Sequence, residues 1–221
     1  MAETEFVRRG SLRDDALNLI IDMIAKKEIR PGDKIKESEI SERLGISRVP
    51  IREAFRLLER EGIVKYVPRK GIFVSEFTDK DIDEMYAIRI MIDTYSAEMI
   101  INKITDDDIK ELRKYVSLMT SSETSQGYSS ANDNFHKKLI KITGNRRLMS
   151  FWEYIENQSK LIMTNCTNIE VVYNLSLKLH YEILDALIKK DLDLYISKIK
   201  KHHNIAREKT KEIWLEQNKE K

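Results

Sequence analysis

Apolar side chains recur at helical spacing through most of the chain. Leu17, Ile20, Ile21 and Ile24 mark one face of a helix over residues 11–27, with Ser11 placed to cap it. Pro31-Gly32 makes a turn, and a short helix over 37–44 turns Ile40 and Leu44 inward. Gly45 ends that helix in the left-handed position that glycine accepts. Ser47 is placed to cap a third helix over 48–61. Pro50 lies in its first turn, where the missing N–H leaves no helix bond unmade. Ile51, Phe55 and Leu58 form the inner face of this helix, and Gly62 ends it.

The period then changes. Two short β-branched or aromatic runs, 63–67 and 72–74, flank Pro68-Arg69-Lys70-Gly71, which reads as a hairpin. Three helices and a basic-tipped hairpin predict a winged helix-turn-helix over residues 1–78. Phe77-Thr78-Asp79 reads as a linker, with Thr78 or Asp79 capping the next helix. Beyond it six amphipathic segments, about 79–102, 106–121, 126–143, 146–165, 168–189 and 192–217, predict an all-α bundle over 79–221. The fold class is therefore mainly α: a winged helix with a small β-hairpin wing, then a helical bundle large enough for an internal cavity. Expected breaks fall at Ile104-Thr105, at Thr143-Gly144-Asn145, near Cys166-Thr167-Asn168 and at Lys190-Asp191. Another falls in the polar run 121–127, which also reads as ordered loop.

Composition narrows the class. Of 221 residues, 34% are charged and 41% hydrophobic, with 7 Gly and 3 Pro, the balance of a helix-rich globular chain. No apolar run approaches the roughly 20 residues that span a bilayer. The beginning MAETEFVRRGSLRDD lacks the apolar core of a signal peptide, and Cys166 is the only cysteine, so a cytoplasmic location is expected.

Net charge is only +2, but its distribution matters more. Residues 43–70 hold eight basic side chains against three acidic ones, whereas 79–221 hold 23 of each sign. A local basic face suffices for phosphate contact. Arg48 and Arg52, four residues apart at the start of the third helix, project from one face and suit guanine recognition in a major groove. Ser47 can divide its hydroxyl between capping and a phosphate. Lys70 and Gly71 at the hairpin tip can reach a flanking groove. The alternative is that Arg48 and Arg52 pair on the surface with Glu53 or Glu59.

The stretch PGDKIKESEISERLGISRVPIREAFRLLEREGIV (31–64), with 68–74 after it, resembles the GntR family of bacterial transcription factors. In that family SRxPxRE opens the recognition helix. The resemblance implies DNA contact by Arg48 and Arg52 around Pro50, with Gly71 at the wing tip. Ser38 stands where some members carry a DNA-touching arginine, so that contact is expected to be weaker or absent.

All four histidines, His136, His180, His202 and His203, fall in the helical half. Asn132 and His136 share a helix face, with Asp133 as a second oxygen donor. Three imidazoles and one oxygen converging in a bundle could hold a divalent transition metal. The alternative is ordinary hydrogen-bonded core or surface histidines. His203, adjacent to His202, must point elsewhere on its helix.

This half resembles the FCD ligand-binding domain of the FadR-type subfamily, and six helices suggest its VanR-like branch. NDNFH (132–136), His180 before Ile183-Leu184, and His202 eleven residues after Asp191 match the family's metal ligands. The implied set is Asn132, His136, His180 and His202, holding a Zn-, Ni- or Mn-like ion. The family more often has Asp where Asn132 stands, and an amide is the weaker ligand. Arg89, in MYAIR (85–89), matches a position facing the effector cavity, where its fork suits a carboxylate. The alternative for Arg89 is a salt bridge with Asp93 at i+4. Met85, Tyr86, Met119, Tyr154 and Met163 read as core or cavity lining, and Trp152 and Trp214 as packing.

These features predict a homodimeric, effector-responsive repressor that binds operator DNA, answers to an organic acid and has no membrane partner. Ligand or metal would shift the placement of the two DNA-binding domains. A metal-dependent hydrolase would use a three-histidine site, but no HExxH and no general base accompany it, and a winged helix would go unused. A constitutive architectural DNA binder would leave the bundle without a task.

Overall fold

The structure is a computed structural model that describes residues 11–166 and 170–217. The chain divides between Glu76 and Phe77 into two compact units.

The first unit begins with α1 (Leu12–Ala25), capped by the Ser11 hydroxyl, which accepts from the Asp14 N–H at 3.2 Å. Its buried face is Ala16, Ile20, Met23 and Ile24, a stripe at i, i+4, i+7 and i+8. Ile21 lies 39% exposed, because it stands 100° around the helix from Ile20. After the turn comes a strand not foreseen from the sequence, β1 (Lys34–Ile35). Two residues are too few to show alternation, which hid it. Helix α2 (Glu37–Leu44) ends at Gly45, whose φ of +64° is the left-handed cap. Helix α3 (Arg48–Arg60) buries Ile51, Ala54, Phe55 and Leu58.

Strands β2 (Val64–Val67) and β3 (Gly71–Val74) form the expected hairpin. β1 adds to its other side, giving the order β1-β3-β2, all antiparallel, with Lys34 opposite Phe73 and Ile35 opposite Ile72. The wing is thus a three-stranded sheet. Gly71 has φ +113°, and a Cβ there would meet the Lys34 side chain at 3.1 Å, so both backbone conformation and space favour glycine.

The second unit holds α4 (Asp79–Lys103), α5 (Asp106–Thr120), α6 (Ser125–Ile142), α7 (Arg146–Asn165), α8 (Glu170–Lys189) and α9 (Leu192–Gln217). Their starts are written in the sequence. Thr78 with Asp81, and Thr105 with Asp108, make reciprocal capping boxes. Thr124 and Asn145 cap α6 and α7. The polar run therefore splits, with α6 already begun at Ser125. The break expected at Thr167-Asn168 lies outside the described residues.

One core gathers Ile100, Leu112, Val116, Phe135, Leu139, Ile183 and Tyr195 among α4, α5, α6, α8 and α9. A second holds Ile82, Met85, Tyr86, Ile155 and Trp214. Trp152 packs with Ile92 and Ile140. Tyr154 is 40% exposed.

Candidate functional site

On the first unit, α3 presents Arg48 and Arg52 outward, with Arg56 a further turn along the same face. Arg52 pairs with neither Glu53 nor Glu59. Its Nε donates to both carboxylate oxygens of Glu37 on α2, at 3.0 and 3.1 Å, so the preceding helix orients it. Ser47 has the extended backbone of an N-cap, but its hydroxyl makes no capping bond, contrary to the sequence expectation. Pro50 sits half-buried in the first turn of α3.

A groove of about 330 Å³ opens beside the start of α3. Ser38, Arg48 and Gly71, far apart in sequence, line it together, and Lys34, Lys36 and Tyr66 join them. The two lysines were missed because Lys34 lies in the unforeseen β1 and Lys36 directly follows it. Their signal was lysine on an edge strand, which is common for reasons of solubility. Lys70 is exposed on the turn and does not line the groove.

The second unit buries all four histidines. His136 comes from α6, His180 from α8, and His202 and His203 from α9. The ligating atoms of His136, His180 and His202 lie within 4.8 Å of one another. His180 donates Nδ1–H to the Ser176 carbonyl at 2.9 Å, which leaves its Nε2 lone pair 3.4 Å from His136 Nε2. Two nitrogens on one tetrahedral ion with bonds of about 2.0–2.1 Å would be separated by about that distance. Burial holds all four imidazoles below the ordinary histidine value, His180 at about 3, so they are neutral, the form that binds metals. Nδ1 of His136, His202 and His203 is buried without a partner. Three converging neutral donors, some with unmet hydrogen-bonding capacity, fit a divalent ion.

Two expectations are corrected. His203 does not point away. Its Nε2 lies 2.5 Å from Asp93 Oδ2, and its ring centroid is 5.0 Å from that of His202. Helix α9 packs against both α8 and α4, so consecutive residues 100° apart are both interior. Asp133 is not a free oxygen donor, since it bridges to Lys160 at 2.9 Å. Asn132 is half-buried one turn before His136, with its amide 3.5 Å from Asp133.

Arg89 is buried, and its partner is not Asp93. Nη1 donates to Ser159 Oγ at 2.7 Å, Nη2 lies 3.2 Å from Glu156 Oε2, and the guanidinium stands over the Tyr86 ring. Burial pushes Glu156 above the ordinary carboxylate range, against the pull of Arg89 and with the push of Asp133. Asp93, one turn on, faces the histidines, so α4 carries both the arginine and the acid of the cluster.

Fold and sites define a winged-helix transcriptional regulator with an appended helical domain. Residues 12–74 match the bacterial regulatory proteins of the gntR family, and residues 84–204 match the FCD domain. The chain belongs to the GntR family, among its FadR-type members with a C-terminal FCD domain. It is 28% identical over 208 residues, 92% of each chain, to the uncharacterized HTH-type transcriptional regulator YdhC of Bacillus subtilis (strain 168). It is 24% identical over 197 residues, 86% of this chain and 81% of the relative, to the gluconate operon transcriptional repressor of the same organism. The fold is shared with E. coli McbR/YncC at a TM-score of 0.75 and 17% identity, over 95% of this chain and all of the other. No described helix is long and apolar enough to cross a membrane.

Proposed function

We propose that residues 1–78 read an operator, and that residues 79–221 control that reading in response to a small organic acid bound beside a buried divalent metal, as a homodimeric repressor. The observation that carries this is the pairing on α4 of a buried arginine with an acid that faces the histidine cluster, four residues on. An arginine fork suits a carboxylate, and a neighbouring ion suits the same group.

Arg48 and Arg52 reach the bases, while Ser38, Ser47, Pro50, Lys70 and Gly71 shape or touch the backbone contact, with Lys34 and Lys36 adding charge. His136, His180 and His202 would hold the Zn-, Ni- or Mn-like ion, with Asn132 a neutral oxygen donor on the same helix as His136. When bound, that ion supplies a Lewis-acidic attachment point for the effector. Arg89 would take the effector's carboxylate in exchange for Glu156, its present partner.

That exchange is testable. Glu156→Gln removes the internal competitor, so about tenfold less organic acid should release the protein from DNA. The measurement is fluorescence anisotropy on an operator selected from random DNA, with a panel of mono- and dicarboxylates. No release by any acid, with and without Zn²⁺ or Ni²⁺, sinks the effector reading.

A second copy supplies the second recognition helix that paired half-sites require. Ile88, Met91 and Tyr95 form an exposed apolar stripe on α4, 38–67% open, and Phe151 is equally exposed on α7, which packs against α4. Such a patch on a charged surface marks a contact face. Met91→Asp with Tyr95→Asp should give a monomer by light scattering and weaken operator binding with it. A dimer that survives both changes places the interface elsewhere.

A further inference from the structure

We infer that Asp93 is the acid of the histidine centre: a positioning residue that acts through His136 and balances the ion's charge from α4. The inference rests on the proposed metal site.

Charge comes first. The imidazoles of the centre are neutral, and Asn132 is an amide, so none of these side chains offsets a buried dication. Uncompensated charge in such a site is strongly unfavourable. Neighbouring carboxylates are engaged elsewhere, Asp133 with Lys160 and Glu156 with Arg89. Asp93 is 2% exposed, and its carboxylate clusters with His136 and His203, all ligating atoms within 4.8 Å of one another.

Geometry says how it acts. His136 has two faces. Nε2 lies 3.4 Å from His180 Nε2, in the triad, while Nδ1 points to Asp93 Oδ2 at 3.9 Å and has no bonding partner. A small rotation of the ring or the carboxylate closes that gap to a hydrogen bond. The proton is then fixed on Nδ1, and the Nε2 lone pair is directed at the ion. His180 is oriented in the same sense, by the Ser176 carbonyl at its own Nδ1. A carboxylate behind a ligating histidine fixes its tautomer and raises its basicity. His203 completes the device by donating Nε2–H to Asp93 at 2.5 Å, which holds the carboxylate facing the cluster rather than turned back to Arg89.

The test uses the full-length, metal-stripped protein titrated with Co²⁺, read by calorimetry and by the ion's visible absorption. Asp93→Asn keeps the shape and removes the charge, and should weaken Co²⁺ binding about 10–100-fold with an altered spectrum. Asn132→Asp placed in the Asp93→Asn background should recover much of the loss, since it returns a carboxylate to the centre. A melting curve of each apo-protein separates lost folding from lost binding. Should Asp93→Asn fail to fold, His203→Leu, which removes the donor to Asp93, carries the test, with weakened Co²⁺ binding expected. Asp93→Asn or, in that case, His203→Leu binding like the parent overturns the inference while leaving the metal reading intact. A parent protein that takes up no Co²⁺ overturns both.

Discussion

Replacing Arg48 and Arg52 together by alanine should abolish specific operator binding and leave the fold unchanged. A good bidentate contact to a base contributes about 1–3 kcal/mol of discrimination, so losing two costs about 2–6 kcal/mol, from tens-fold to more than 10⁴-fold in affinity. The fold should not notice. Both side chains are exposed, and the inner face of α3 is made by Ile51, Ala54, Phe55 and Leu58. Only the Arg52–Glu37 pair is lost, and an exposed pair contributes about 0–1 kcal/mol. Anisotropy on the selected operator gives the affinity, and circular dichroism melting gives the stability. The single variants separate roles. An arginine that reads a base relaxes preference at one position, whereas one that meets phosphate weakens all sequences alike and lowers the salt slope by about 1. Glu37→Gln adds a control, because it releases Arg52 from α2 without touching the arginine itself. Unchanged operator affinity in the double variant would remove α3 from the interface altogether.

The sequence is most legible where its information is local. Helices α1 to α9 announce themselves through period and caps, since a Thr-x-x-Asp box or a Gly at +64° is decided within one turn of chain. Strand β1 does not, because a two-residue strand exists only through its partner β3, some forty residues on. The same division runs through the sites. That Arg48 and Arg52 share a face is helical arithmetic. That Arg52 is steered by Glu37, that Arg89 takes Glu156 rather than Asp93, and that His203 turns into the cluster are all choices of partner across space. In each case i+4 spacing or adjacency offered a local answer, and tertiary packing supplied another. Lys34 and Lys36 are a related case: the basic run in the sequence begins at residue 43, and only the groove brings these two beside Arg48.

The buried imidazoles should make the helical unit acid-sensitive well above the pH at which most proteins unfold. Each of the four is held below the ordinary histidine value of about 6.5, chiefly by burial, and His180 falls to about 3. Proton counting sets the sign. As pH drops through 6.5 the unfolded chain binds protons that the folded one refuses, so unfolding becomes easier with every step down. The penalty is absent above the unfolded value and grows until the folded pKa is reached, near 3 for His180. Each histidine contributes up to about 1.4 kcal/mol per pH unit, His180 from about 6.5 down to about 3, and the other three act in the same direction. His180 alone then removes a large share of a total stability of about 5–15 kcal/mol, so the unit should unfold between pH 6.5 and 3. Trp152 and Trp214, the only tryptophans, are both buried in this unit, so their fluorescence reports it selectively. The winged-helix unit holds no histidine and should keep its helical signal further into acid. Replacing His180 by leucine should flatten the slope by up to about 1.4 kcal/mol per pH unit, whatever it does to stability at neutral pH. A divalent ion competes with protons for the same nitrogens, so Zn²⁺ or Ni²⁺ should move the transition to lower pH. Tryptophan emission that stays constant from pH 7 to 3 would mean that these histidines reach water, and that the centre is not a closed, neutral cluster.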